Sequence, residues 1–385
     1  MKKFFEKMKG LKNIRKKRVK KKINLLLKND KINEAVKIKR KRKKAFDIFS
    51  KNFCIKILFP IFIILLFLYF LLIKKKKYKF KNINNYLAFN YTNKSNYINN
   101  SNNTSFEYYA CLTGTASKEN KYAKELVEYY IKLGVDKFIF GDNNLPNTEK
   151  LSDVLQDYIS NGIVDIIEIF GSTIGQSEFG QSIYEKYKTR CKWFLFFDFD
   201  EYLEIFFNKN ETLTLKQFLS NQIFSKCESI SFNWLIYTDN ELIFYDNRPL
   251  LERFTTPYYE DKDNEYVKSI VRGNLDKIIF YPKTYIHFPS KNLSICDSKG
   301  KLIYPKGYDS CSISPPIYDY GYLKHFTTKT AEEYCVKIKR GTNEGKKYNI
   351  NERVDLFFYH NKFTEEKLKV FENTFNMSFN IPNKK

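Results

Sequence analysis

Lys192–Ile205 reads KWFLFFDFDEYLEI, an apolar run passing without a break into acids. Trp193 to Phe197 have the near-continuous hydrophobicity of a strand buried on both faces, as in a parallel sheet covered by helices. Ligands of such sheets bind beyond the carboxyl ends of the strands. The acids Asp198, Asp200 and Glu201 therefore fall where chemistry is expected. If the strand continues, alternation places Asp198 and Asp200 on one side. Two carboxylates at the mouth of a sheet make a hard oxygen site suited to Mn2+ or Mg2+, which retains open positions for phosphate oxygens. The plain alternative is an exposed acidic turn.

Upstream, strand and helix signals alternate. YYACLTG (108–114), VDKFIFG (135–141) and VDIIEIF (164–170) read as strands. KENKYAKELVEYYIKLG (118–134) is an amphipathic helix with Ala123, Leu126, Val127, Tyr130 and Ile131 on one face and Gly134 as its stop. LSDVLQDYISNG (151–162) and residues 177–190 supply two more helices. The expected fold class is α/β, a Rossmann-like, mostly parallel sheet with helices on both faces.

The chain has 385 residues and a net charge of +24, but the charge is not spread evenly. Residues 1–52 carry 22 Lys/Arg and 4 Asp/Glu, and residues 53–81 add 7 Lys and no acid. The other 304 residues hold 38 Lys/Arg against 39 Asp/Glu. A nucleic-acid enzyme carries its positive surface on the domain that reads the polymer, so no nucleic-acid partner is expected. Between Lys56 and Lys74 runs ILFPIFIILLFLYFLLI, 17 uncharged residues reaching about 26 Å as a helix, the short end of a bilayer span. Extended to 53–73 it is a membrane helix rather than a leader peptide, which would start near residue 1. The larger basic excess before it keeps the N-terminus cytosolic. The expected organisation is a basic cytosolic arm (1–52), a transmembrane helix (53–73), an Asn/Ser-rich stem (74–105) and a lumenal domain (106–385).

Asn-x-Ser/Thr triplets at Asn90, Asn93, Asn99, Asn102, Asn103, Asn210, Asn292 and Asn376 agree with a lumenal location. Of seven cysteines, six follow the membrane segment. Cys296 and Cys311, flanking a Gly- and Pro-containing loop, are the first expected disulfide.

The order of landmarks resembles glycosyltransferase family 92 and its relatives among the family-2-like glycosyltransferases. KENKYAKELVEYYIKLGVDKFIFGDNN (118–144) is similar to that family's entry helix and following strand, and CKWFLFFDFDEYLEI (191–205) to its acidic core. NWLIYTDN (233–240), ERF (252–254), VKSIVRG (267–273) and YLKHFTTKTAEEYCVKIKRG (322–341) follow in order. Tyr202 replaces the commoner Phe, and NWLIYTDN departs from the family's usual Gly-Ser ending. The resemblance implies a GT-A fold and transfer of a hexose, most often galactose from a UDP-sugar donor, onto a glycan acceptor with inversion. It implies Asp198 on the ribose or metal side, Asp200 as direct metal ligand and a late histidine, His325, as third ligand; His287 competes for that place. His360, in an aromatic run, reads as structural.

Asp142 ends a strand where it can bind the nucleoside or cap the turn NNLPN. Lys268 and Arg272 offer cations to a donor diphosphate, or form a solvated face. An inverting transfer needs a base for the acceptor hydroxyl; Asp239 is first by chain order, then Glu241. Trp193 and Trp234 both read as core, with sugar stacking the second possibility for Trp234. The charges of 331–345 read as a solvated helix face. Two other classes use the same residues: another paired-Asp metal-dependent transferase acting on nucleotides or phosphates, and a catalytically silent membrane-anchored glycan-binding protein. The Golgi, which imports nucleotide sugars, suits a type II enzyme of this kind.

Overall fold

The computed structural model describes residues 105–170, 175–208, 211–276, 278, 293–304, 312–342 and 346–381. The basic arm, the membrane segment, nearly all of the stem, His287 and every triplet except Asn376 lie outside them. Among the described residues no helix is long and apolar enough to cross a membrane.

The elements run β1 (Tyr108–Ala116), α1 (Asn120–Leu133), β2 (Lys137–Asp142), α2 (Leu151–Val154), α3 (Gln156–Ser160), β3 (Val164–Glu168), α4 (Gln176–Tyr187), β4 (Cys191–Phe196) and β5 (Glu201–Ile205). After these come α5 (Leu215–Leu219), β6 (Ser229–Ile236), α6 (Leu250–Arg253), β7 (Val267–Arg272), β8 (Ile295–Cys296) and β9 (Gly321–His325). Three helices finish the chain: α7 (Ala331–Arg340), α8 (Ile350–His360) and α9 (Glu365–Phe375).

The strands form one sheet in the order β3-β2-β1-β4-β7-β6-β9-β5, with β8 beside β6. The first four are mutually parallel, whereas β7 is antiparallel to both β4 and β6. Alternation along the parallel strands supplies two cores. Leu112, Phe138, Phe140, Trp193 and Leu195 face α1 and α2, while Cys111, Ile139, Phe194 and Phe196 face α4. Helices thus cover both faces, as the apolar runs require. The helix read over 151–162 is two short ones broken at Leu155. The last three helices pack on one another through Tyr334, Ile338, Val354, Phe357 and Phe371.

The stretch 192–205 is not one strand. β4 ends at Phe196 and β5 begins at Glu201, four positions away in the sheet. Five residues reach at most about 18 Å, whereas four strand spacings on a flat sheet are about 19 Å. The sheet therefore curls, and Asp198–Asp200 forms the link, with the Glu201 N–H donating to the Asp198 carbonyl. Gly114 permits the crossing: a Cβ there would lie 2.4 Å from the Phe197 carbonyl oxygen.

Two disulfides staple the sheet. Cys111–Cys191 joins β1 to β4, and Cys296 pairs with Cys227 rather than with Cys311. The expected Cys296–Cys311 bond fails because β8 aligns Cys296 with Ile230, bringing it beside the residue that leads into β6. Cys335 is a buried free thiol.

Candidate active site

A cavity of about 410 Å3 opens at the carboxyl ends of the parallel strands. Asp198 and Asp200 line one wall, His325 and Trp234 a second, and Lys337, Arg340 and Arg353 the side formed by the C-terminal helices.

Breaking the strand at Phe196 sends the two aspartates in different directions. Asp198 accepts from Lys268 Nζ at 2.7 Å and from Gln176 Nε2 at 3.0 Å. Lys268 is itself buried, 3.4 Å from Glu201. Burial pushes the Glu201 carboxyl up to about 8; the Lys268 charge opposes the rise and the Asp198 charge adds to it. Asp200 accepts from Lys329 at 3.2 Å and Lys337 at 3.3 Å, and its other oxygen stands 3.7 Å from His325 Nε2. Burial alone would raise this carboxyl, but the charges of Lys329 and Lys337 outweigh it and hold Asp200 well below the ordinary range. Burial pushes His325 down to about 3, so the ring is neutral and one of its nitrogens has a lone pair to offer an ion. Its ring lies 4.3 Å from that of Trp234.

Lys329 adopts φ +57°, a left-handed conformation that is costly for a side chain with a Cβ. Next to it, Thr330 and Glu333 exchange capping hydrogen bonds that start α7. Glu333 also receives Arg253 at 2.9 Å and the Tyr122 hydroxyl at 2.6 Å, which ties α7 to α6 and α1. Arg340 meets Glu119 at 3.0 Å. The face of α7 read as solvated is therefore the inner wall of the site. Its signal is the i, i+4, i+7 series Glu333, Lys337, Arg340, a polar stripe pointing the same way as the acids.

The residues fit a divalent ion in part. Asp200 Oδ1 and His325 Nε2 are closer than the about 4.2 Å maximum for two ligands on bonds near 2.1 Å. Asp198 does not complete the set: it turns to Lys268, and the three expected ligands do not gather within 4.8 Å as Asp261, Asp263 and His360 do.

Three other expected site residues stand elsewhere. Asp142 is buried and spent on local structure, accepting from the Asn144 N–H and side chain and from the Leu151 N–H. That is the capping role, and Asp142 does not line the cavity. Arg272 sits four residues along β7 from Lys268, about 13 Å in a strand, opposite Trp193 and away from the strand mouths. Its guanidinium donates to the Cys227 and Phe224 carbonyls and covers Trp193 at 4.3 Å. Asp239 follows β6 into a closed seam, ion-paired with Lys367 at 2.6 Å, with both side chains at most 2% exposed. Glu241 is exposed and pairs with Lys362.

No curated protein matches this sequence. Among solved structures, S. aureus TarS residues 1–349 is similar at 13% identity and TM-score 0.33, over 69% of this chain and 72% of that one. The same protein in complex with UDP-GlcNAc gives 14% and 0.34, over 70% and 73%. The bifunctional glycosyltransferase WbbM in its apo form gives 10% and 0.22, over 44% and 32%. The model of glycosyltransferase family 92 matches residues 106–374, from just before β1 to the end of α9, and the chain belongs to that family.

Proposed function

We propose that this glycosyltransferase moves a hexose, galactose first among the candidates, from a UDP-sugar to a glycan acceptor with inversion, assisted by Mn2+ or Mg2+. The observation that carries the reading is the imbalance around Asp200: one carboxylate faces two lysines and a neutral imidazole at the wall of a 410 Å3 cavity. Such surplus positive charge beside hard ligands suits a diphosphate leaving group.

Asp200 and His325 would hold the ion, which supplies charge neutralisation for the departing diphosphate. Lys337, on the cavity wall, stabilises the same oxygens, and Lys329 behind it keeps Asp200 ionised. Asp198, oriented by Lys268 and Gln176, is placed to accept a ribose hydroxyl. Trp234 offers an apolar face to a sugar ring. With Asp239 sealed, the base falls to Glu119, the remaining carboxylate of the wall, once Arg340 turns to the donor.

The same proposal anchors the chain through residues 53–73, as a type II protein with its catalytic domain in the Golgi lumen. Two disulfides support an oxidising compartment. Protease added to intact vesicles should spare the large domain; its digestion would overturn the orientation. For activity, the full chain is incubated with Mn2+ and a panel of nucleotide sugars while nucleotide release is followed. Chelator-sensitive release from one donor, lost in Asp200→Asn, is expected. Release that survives both treatments would refute the metal role.

A further inference from the structure

A second D-x-D spacing, Asp261-Lys262-Asp263, lies outside the cavity on the 3-10 turn Lys262–Glu265 that leads into β7. Asp261 Oδ1 accepts the Asp263 N–H at 2.8 Å, which turns Oδ2 towards His360, the last residue of α8. Oδ2 and His360 Nε2 are 2.6 Å apart, and both side chains are at most 1% exposed. Yet neither atom has a hydrogen bond of acceptable geometry, nor does His360 Nδ1. At 2.6 Å the two form an ion pair in the ion-free protein; two ligands on bonds of about 2.0 Å stand about 3.3 Å apart in a tetrahedron, so they need to part by only about 0.7 Å to admit an ion. Asp263 offers the third atom, with all three within 4.8 Å of one another. Asp263 is only half-buried, so water can fill the remaining positions.

We propose that Asp261, Asp263 and His360 bind a divalent transition cation, Zn2+ in the first instance. Two carboxylates and an imidazole form a borderline donor set, which favours Zn2+ over the oxygen-seeking Mg2+ and Ca2+. The ion fastens α8 to the turn before β7. Arg353 lies two helical turns before His360 on the same face of α8 and reaches the cavity wall. The bound ion therefore sets the position of a cavity residue from outside the cavity. None of this depends on the glycosyl-transfer reading.

The test uses the purified full chain carrying Asp200→Asn and His325→Asn, so that the cavity contributes no competing site. The protein is loaded with Zn2+, dialysed against metal-free buffer and analysed by mass spectrometry of the metal. One equivalent retained, with a melting temperature that drops on addition of chelator, is expected. Adding Asp263→Asn should weaken retention at least tenfold and abolish the chelator effect. Co2+ provides a second readout that needs no variant at the site: its visible bands report nitrogen and oxygen ligation. Failure to retain Zn2+, with melting unmoved by metal or chelator and no Co2+ bands, would overturn the proposal and leave a simple His–Asp ion pair.

Discussion

Asp200 and Asp239 are both at most 4% exposed and both ion-paired to lysine, yet their surroundings differ in kind. Asp239 meets one lysine in a closed seam; its other oxygen takes the Glu241 N–H, and its own N–H goes to Asn361. Lys367 also donates to the Lys362 carbonyl. Charge balances there, and nothing faces solvent. Asp200 meets two lysines and a histidine beside an open cavity. Balanced charge fastens parts of a fold together, whereas unbalanced charge beside a void awaits a ligand.

The largest expected effect is on turnover in Asp200→Asn: a fall of about 10^3-fold, about 4 kcal/mol in barrier. Asp239→Asn should leave turnover per folded molecule within about twofold, but lower stability in urea by about 3 kcal/mol, since it strands a buried ammonium. Equal loss of turnover in the two variants would erase the contrast.

Glu333 sharpens it next. Burial opposes ionisation of this carboxyl, but Arg253 and the Tyr122 hydroxyl outweigh it and hold it at about 2. A depressed acid contributes stability above its unfolded value of 4.5 that is lost as pH falls towards 2. The contribution is roughly 3 kcal/mol. Urea unfolding of wild type and Glu333→Gln should therefore differ at pH 7 and converge near pH 2; a constant gap would refute the linkage.

The smallest effect is an expected flatness. With His325 held at about 3, protons do not compete for its ring at pH 5.5. Mn2+ affinity measured calorimetrically should change less than about threefold between pH 7.5 and 5.5. An ordinary histidine would lose about tenfold, and that result would sink the assignment.

The parallel half was legible because its physics is local. Leu112, Ile139, Phe194 and their neighbours are apolar at consecutive positions, as burial on two faces demands, and Gly134 stops α1 as expected, in the left-handed conformation. The site was half-legible. Asp198, Asp200 and His325 are at the cavity, but Lys329, Lys337 and Arg340 were hidden, because a helix's polar stripe does not reveal what it faces. Arg272 misled because chain order locates a residue along a strand but not at which end of the sheet that end lies, and β7 runs against β4. Asp239 follows β6 at the same end as the acids, but Lys367 of α9 seals it. The Cys296–Cys311 expectation failed on a two-residue strand too short to announce itself.

Consider finally the order in which the chain emerges during synthesis. β5 pairs in the sheet with β9, whose first residue, Gly321, lies over a hundred positions later. Until then the segment following the acidic link has its backbone donors and acceptors exposed and no strand beside it. Contacts of such long sequence separation form slowly, and open strand edges invite association with other chains. Asp198 and Asp200 thus sit at the junction between an early-folding half and a late one. A chain truncated before Gly321 should keep the parallel half yet aggregate through β5.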